Sequence, residues 1–204
     1  MKQDWSLSKK QVLLLVSAVI FNFIIYNGGR RIATDLYHYR FTTAIDERIP
    51  FLPWTVLIYW GCYLFWIFNY LLGVKYDKRN GCSFIGAHFI GEAVCFIFFI
   101  LFPTTMDRPE NFGHSIADCL VRLTYYYDAA DNLFPSIHCF VSWLCWIGVR
   151  KNKHIPVWYQ IVSLFIAILV CISTLTVKQH VLADVIAGII LAEVSYLLSG
   201  MLDK

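Results

Sequence analysis

Apolar residues gather along this chain in long runs that are separated by polar segments. The runs are six in number, at 11–27, 53–74, 84–102, 136–149, 156–175 and 181–200. Most approach the ~20 residues that an α-helix needs to cross a bilayer, whereas the fourth is too short to cross at right angles. We expect the fourth helix to begin below the membrane surface. Because lipid offers no water to unpaired backbone groups, the pattern predicts an all-α bundle of six transmembrane helices.

Composition supports one membrane-embedded domain covering residues 1–204. The chain is 58% hydrophobic and 15% charged, against ~25% charged residues in soluble domains. Its net charge of +3 is small and dispersed, which argues against a nucleic-acid partner. The seven cysteines show no metal-ligand spacing. The pattern leaves the oligomeric state open.

The first apolar run follows Lys9 and Lys10, as the core of a signal peptide would. No small-x-small cleavage site follows it, so we expect a retained first span.

Basic residues predict how the bundle is oriented. The side that carries both termini holds ten of them in short segments: Lys2, Lys9, Lys10, Lys75, Lys78, Arg79, Arg150, Lys151, Lys153 and Lys204. The other side holds seven, mostly in longer loops: Arg30, Arg31, Arg40, Arg48, Arg108, Arg122 and Lys178. The positive-inside rule makes the first side cytoplasmic. The sequence therefore predicts a multi-pass protein of the cell membrane with both termini cytoplasmic.

His180 and Asp184 form the strongest chemical signal. Their spacing of four places both side chains on one face of a helix. A carboxylate there can accept a hydrogen bond from one ring nitrogen and make the other a better nucleophile. The alternative is an ion pair that closes the start of a helix.

A second signal opens the fourth apolar run. Pro135 suits a first helical turn, whose free N–H groups form a ready anion site. Ser136 adds a hydroxyl donor, and His138 lies one turn further in, where it can act as a general acid or base. Considered alone, the segment is equally compatible with a helix cap beside a bystander histidine.

Cations near these histidines predict phosphate binding. Arg108 follows the third run and can grip phosphate bidentately. Lys178 precedes His180 by two residues and is a second candidate, and Arg122 is a third. The spacing of the loop carboxylates fits no compact metal loop, so no metal and no cofactor is expected. These carboxylates are Asp107, Asp118, Asp128 and Asp131.

Two further features lie inside the apolar runs. His88 and Glu92 stand four apart in the third run and predict a buried pair, with a headgroup or proton-relay role as the alternative. The aromatic clusters Trp54–Trp66 and Tyr125–Tyr127 are typical of membrane-interface belts.

Three short stretches of this chain resemble, in the same order, the three motifs of the type 2 phosphatidic acid phosphatase superfamily. They are Arg108 with Pro109, Pro135-Ser136 with His138, and His180 with Asp184. The resemblance covers about 84–200. It implies a six-helix membrane bundle, whose core is shared with soluble vanadium haloperoxidases, and metal-independent chemistry at the extracytoplasmic membrane surface.

The resemblance also implies roles for individual residues. His180 would attack phosphorus and form a phosphohistidine, and Asp184 would orient it. His138 would protonate the leaving alkoxide. Arg108, Ser136 and the backbone after Pro135 would bind the phosphate.

Two family cations are missing from their usual places. Leu101 stands seven residues before Arg108, where the family has a lysine, and Thr174 stands six before His180, where the family has an arginine. Lys178 is the candidate replacement for one of them. The inositol phosphorylceramide synthase branch departs at the same positions, and the stretch from Phe102 to Pro109 is similar to that branch.

The resemblance therefore predicts an enzyme that hydrolyses a lipid phosphomonoester or diphosphate. Phosphatidate, phosphatidylglycerophosphate and polyprenyl diphosphate all fit this description. One alternative is a transferase that moves a phospho-headgroup to a lipid alcohol with the same residues. Another, of a different class, is a non-catalytic lipid transporter on the same scaffold.

Overall fold

The computed structural model describes residues 6–79, 81–110 and 113–201. Its regular structure there is helical, apart from one pair of two-residue strands, β1 Tyr39–Arg40 and β2 Thr104–Thr105. The helices are α1 Lys9–Ala33, α2 Ala44–Arg48, α3 Val56–Tyr76, α4 Cys82–Leu101, α5 Ile116–Tyr127, α6 Ile137–Val149, α7 Val157–Thr176 and α8 Leu182–Met201. The predicted all-α class is confirmed, and each apolar run coincides with a helix.

Five of these helices are long and apolar enough to cross a membrane. They are α1, α3 together with the 3₁₀ turn Pro53–Thr55 before it, α4, α7 and α8. Large apolar side chains on their outer faces are exposed, as with Phe23 of α1 and Phe165 of α7. An exposed apolar surface of this extent suits lipid and not water. The chain is therefore a multi-pass membrane protein.

Helix α6 is the short helix at the centre of the bundle. Its 13 residues give a length of about 20 Å, less than the ~30 Å of a hydrocarbon core. It packs against α3, α4, α7 and α8, and its N-cap residue, Ser136, is fully buried. The start of α6 is thus enclosed by longer helices.

Two long connections fold over one end of the bundle. The α1–α3 connection contains β1 and α2, and the α4–α6 connection contains β2 and α5. The strands pair in parallel, Tyr39 with Thr104 and Arg40 with Thr105. The hydroxyl oxygen of Thr104 accepts hydrogen bonds from the backbone N–H groups of Leu133 and Phe134, at 3.2 and 3.0 Å. These contacts fix the segment before Arg108 against the segment before His138.

The other end of the bundle has short, basic connections. The α3–α4 and α6–α7 turns meet there, and Lys75 and Arg150 line a common cavity. Arg150 forms an ion pair with Glu193 of α8 at 2.6 Å. The structure thus keeps the basic turns and the predicted chemical residues at opposite ends.

Candidate active site

His180 lies in the tight turn between α7 and α8. Its Nδ1 is 3.3 Å from Oδ2 of Asp184, and the backbone N–H of Val181 donates to the same oxygen at 3.0 Å. The turn is held by Thr174, whose carbonyl oxygen accepts from the backbone N–H groups of Gln179 and His180. Both His180 and Asp184 are buried. The predicted contact between histidine and carboxylate is present.

Asp184 changes the acid–base behaviour of His180. Burial by itself lowers the pKa of His180, but the hydrogen bond and the negative charge of Asp184 outweigh it and raise the pKa above the usual 6.5. In the neutral ring the same hydrogen bond holds the proton on Nδ1, so the lone pair lies on Nε2. The geometry thus presents Nε2 as a nucleophile.

His138 approaches His180 from the first turn of α6. The two ring centroids are 6.0 Å apart. Ser136 orients this turn in two ways: its hydroxyl accepts from the N–H of Cys139 at 3.2 Å, and its own N–H donates to the carbonyl oxygen of Asp184 at 3.1 Å. Among the described residues, Nε2 of His138 is buried and has no hydrogen-bond partner. Both imidazoles are close enough to contact one phosphoryl group.

Aromatic residues of α3 enclose His138, and the sequence had assigned them another role. Tyr59 stacks on the imidazole with centroids 4.6 Å apart, and Trp66 and Tyr63 lie at 5.5 and 6.4 Å. Tyr59 is only 2% exposed, so a place in an interface belt is wrong for this residue. The spacing 59, 63, 66 follows one helical face, which is the signal that would have grouped them.

Tyr59 also connects this face of α3 to the outer loops. Its hydroxyl donates to Oδ2 of Asp128 at 2.9 Å, and the hydroxyl of Tyr26 donates to the other carboxylate oxygen. Asp128 directly follows α5. Sequence reasoning considered Asp128 only as a metal ligand and missed this anchoring position.

Arg108 joins the first and third motifs. Its guanidinium donates to the carbonyl oxygens of Asp128 at 2.6 Å and Ala129 at 3.2 Å, and to the amide oxygen of Gln179. It also lies over the ring of Tyr125, 4.5 Å from the centroid. Its Nε is buried and without a partner in the described part of the chain. A buried donor of this kind is suited to an anion.

A cavity of about 360 Å³ is lined by Arg108, Lys178 and His180, and also by the acidic residues Asp46, Glu47 and Asp107. The amine of Lys178 donates to the carbonyl oxygens of Asp46 at 2.9 Å and Ile49 at 2.6 Å. The carboxylate of Asp46 in turn accepts from the N–H of Leu182 at 2.7 Å. Lys178 therefore lies where the sequence placed it, but its amine fixes the α2 segment to the turn that carries His180.

Arg122 is not brought to this cavity. It lies on α5, and its guanidinium donates to the carbonyl oxygen of Gly113 at 2.8 Å. Of the positions that lack a family cation, Thr174 is buried in the turn before His180, whereas Leu101 is 62% exposed.

His88 and Glu92 do not pair with each other. Nδ1 of His88 contacts the hydroxyl of Tyr70 at 2.7 Å, and Asn22 donates to Glu92 at 2.6 Å. The expectation of a mutual pair is wrong because helices α3 and α1 supply closer partners.

The four loop carboxylates also lie apart, with separate partners. Asp107 contacts Arg40, Asp118 caps α5 with Ser115, Asp128 accepts from two tyrosines and Asp131 pairs with Arg30. Within residues 6–79, 81–110 and 113–201, no three His, Cys, Asp or Glu side chains are grouped as metal ligands.

Comparison of the chain with protein-family models, with curated proteins and with solved structures found no match.

Proposed function

We propose that this chain is a membrane enzyme that hydrolyses a lipid phosphomonoester or diphosphate through a phosphohistidine on His180. The observation that carries the proposal is the approach of two histidines, one in the first turn of α6 and one in the turn between α7 and α8, with ring centroids 6.0 Å apart. His180 is hydrogen-bonded to the buried carboxylate of Asp184, and the cavity that His180 lines is also lined by Arg108. The three-motif resemblance supports the same chemistry independently of this geometry.

In the first step, Nε2 of His180 attacks phosphorus and the bond from phosphorus to the lipid oxygen breaks. The leaving alkoxide, or lipid phosphate, takes a proton from His138. Asp184 stabilises the positive charge that develops on the His180 ring. Arg108 and the positive end of the α6 helix dipole stabilise the phosphoryl oxygens, which is usually the largest single contribution in such reactions.

In the second step, His138 acts as a base. It removes a proton from water as the water oxygen attacks the phosphorus of the phosphohistidine. The nitrogen–phosphorus bond breaks, inorganic phosphate leaves, and both histidines return to their starting states. Every proton in the two steps is carried by residues of this chain or by water, and the proposed mechanism assigns no step to a metal ion.

The membrane arrangement is part of the proposal. All six apolar helices cross the bilayer, with α6 starting below the outer surface, and both termini are cytoplasmic. The support is the separation of the short basic turns from the end of the bundle that carries the long connections and the two histidines. The cavity beside His180 then faces the extracytoplasmic leaflet, where a lipid headgroup has access to it.

The test is phosphate release from a panel of lipid phosphates by the purified protein in detergent. His180→Ala should abolish release. His154→Ala is the matched control, because His154 stacks on Tyr76 at the opposite end of the bundle, and it should keep full activity. Wild-type turnover that survives His180→Ala would overturn the proposal.

The same experiment separates the alternatives. A transferase would form a new phospholipid when a lipid alcohol is added and would release little phosphate without it. A lipid transporter would give neither product, and its transport would not depend on His180.

A further inference from the structure

We propose that the side-chain amide of Gln179 donates a hydrogen bond to a phosphoryl oxygen of the substrate. This inference rests on the proposed function, because it assigns a substrate ligand within the same site. Neither the apolar pattern nor the three motifs singles out Gln179. The structure does, through the burial and the hydrogen-bond partners of its side chain.

The orientation of the amide follows from its neighbour. An arginine side chain has hydrogen-bond donors and no acceptor, so the group of Gln179 that faces Arg108 must be the amide oxygen. The NH₂ group therefore points away from Arg108. Gln179 is 1% exposed, and its Nε2 has no partner among the described residues. Buried donors of this kind are nearly always satisfied in proteins, which indicates that a bound molecule supplies the acceptor.

Other unpartnered nitrogens lie on the residues around Gln179. Nε of Arg108 and Nε2 of His138 are also buried and unpaired within the described ranges. Arg108 is bonded to Gln179, and His138 lies beside the ring of His180. Buried donors on neighbouring residues suit a ligand that offers several acceptor oxygens on one atom. A phosphoryl group has that form.

The backbone holds Gln179 in a fixed relation to the nucleophile. Gln179 and His180 are adjacent, and their N–H groups donate to the same carbonyl oxygen, that of Thr174, at 2.9 and 3.1 Å. The backbone of the turn therefore sets the position of Gln179 relative to His180.

Two substitutions separate ligand binding from support of Arg108. Gln179→Glu keeps an oxygen for Arg108 but has no N–H to offer at neutral pH, whereas Gln179→Leu removes both groups. If Gln179 only supports Arg108, Gln179→Leu should cost no further vanadate affinity in an Arg108→Gln background, whereas the glutamate charge would repel an anion in either case. If Gln179 binds the phosphoryl group, both variants should bind it poorly, and the glutamate carboxylate should also repel it.

The measurement is orthovanadate affinity, by direct calorimetric binding and by inhibition of phosphate release. We expect a loss of about 10- to 100-fold in both variants, with the thermal unfolding midpoint of Gln179→Glu unchanged. Gln160→Glu is the matched control, because the amide of Gln160 donates to Asn152 and Ile155 at the opposite end of the bundle. It should bind vanadate as wild type does.

The outcomes are distinct. Wild-type vanadate affinity in a folded Gln179→Glu variant would overturn the role of Gln179 and leave the proposed function standing. If the wild type hydrolyses no lipid phosphate but binds vanadate, and this binding is lost in the Gln179 variants, Gln179 keeps its role as an anion ligand. The proposal that the protein is a hydrolase would then be overturned. A wild type that neither binds vanadate nor turns over would overturn both.

Discussion

Gly188 of α8 lies directly against the backbone of Ser136. A Cβ atom at position 188 would be 2.7 Å from the carbonyl oxygen of Ser136 and 3.1 Å from the backbone nitrogen of Phe140. These atoms belong to the start of α6, which carries His138. The close approach therefore helps to set the distance between α8, which carries Asp184, and the start of α6, which carries His138.

Gly188→Ala should separate α8 from the start of α6. The obstructing atoms are backbone, so relief requires a helix shift and should cost about 1–3 kcal/mol of stability. A shift near 1 Å at reacting groups can reduce a rate about 100-fold. Gly200→Ala on the same helix is the control, because nothing lies within 4 Å of a Cβ there. Detergent unfolding and phosphate release would measure both effects, and equal behaviour of the two variants would contradict this account.

His138→Ala should slow the enzyme according to its leaving group. A lipid alkoxide needs the proton from His138, whereas an aryl phosphate releases a stable phenolate without it. With an aryl phosphate the first step should stay fast, and the second step, which needs His138 as base, should become limiting. Acid-labile, alkali-stable phosphate should then accumulate on the protein in a rapid-quench experiment. If no phosphoprotein accumulates with any leaving group, the role of His138 in the second step is wrong.

Asp184→Asn should change the pH profile of kcat/KM. His180 must be neutral to attack, and its pKa is raised above 6.5, so wild-type activity should rise with pH through that raised pKa. Removing the carboxylate charge leaves burial as the dominant influence, which lowers the pKa of His180, so the rising limb should move to lower pH. The wild type and the variant should be compared on the same substrate, so that ionisation of the substrate affects both pH profiles equally.

The rate of Asp184→Asn should also fall, by about 100-fold. The N–H of Val181 requires an acceptor at the position of Oδ2, so the asparagine oxygen should occupy it and still accept from Nδ1 of His180. The loss of rate should then come mainly from the missing negative charge of Asp184 and less from a change in the tautomer of His180. A rising limb that stays in place would show that Asp184 does not control the titration of His180.

Thr104→Val should loosen the outer loops. The hydroxyl of Thr104 accepts from two backbone N–H groups, those of Leu133 and Phe134. Valine has nearly the same shape but would leave both donors unpaired, at a cost of about 1–3 kcal/mol for each donor that stays buried. Thr104→Ser keeps the oxygen and should retain most of the stability. Thermal unfolding of the two variants beside wild type would measure the difference, and equal midpoints would exclude this role of the hydroxyl.

Lys178→Met should lower stability more than it lowers anion affinity. The amine of Lys178 is bonded to the carbonyl oxygens of Asp46 and Ile49, so its loss should release the α2 segment from the turn before α8. Vanadate affinity should change little. A loss of affinity as large as that of Arg108→Gln would instead restore the phosphate-clamp role that the sequence suggested.

Local patterns predicted most of the architecture. The hydrophobic runs located α1, α3, α4, α6, α7 and α8, because a membrane helix depends on the polarity of its own residues. The spacing of His180 and Asp184 predicted their contact, although the structure places His180 in the turn before α8, so that Asp184 in the first turn of α8 reaches back to it. The small helices α2 and α5 and the strand pair were not predicted, because each is short and is stabilised by contacts outside itself.

The partners of individual polar groups were beyond such reasoning. Lys178 has the charge and the position in the sequence expected of a phosphate-binding residue, yet its amine donates hydrogen bonds to carbonyl oxygens about 130 residues earlier in the chain. Tyr59 belongs to an aromatic-rich segment typical of an interface, yet it packs on His138. Gln179 belongs to no sequence motif, and only its contact with Arg108 in the structure shows how its amide is oriented.

The sequence by itself determined that this is a helical membrane protein and that its histidines, one carboxylate and one arginine are candidates for phosphoryl chemistry. Those conclusions depend on hydropathy and on contacts within a helical turn. Only the tertiary structure decided what each cation binds, which aromatic rings hold His138 and which buried donors remain unpaired. The reason is physical: hydrogen-bond partners and burial are set by segments that are distant in the chain and become neighbours only when the helices pack.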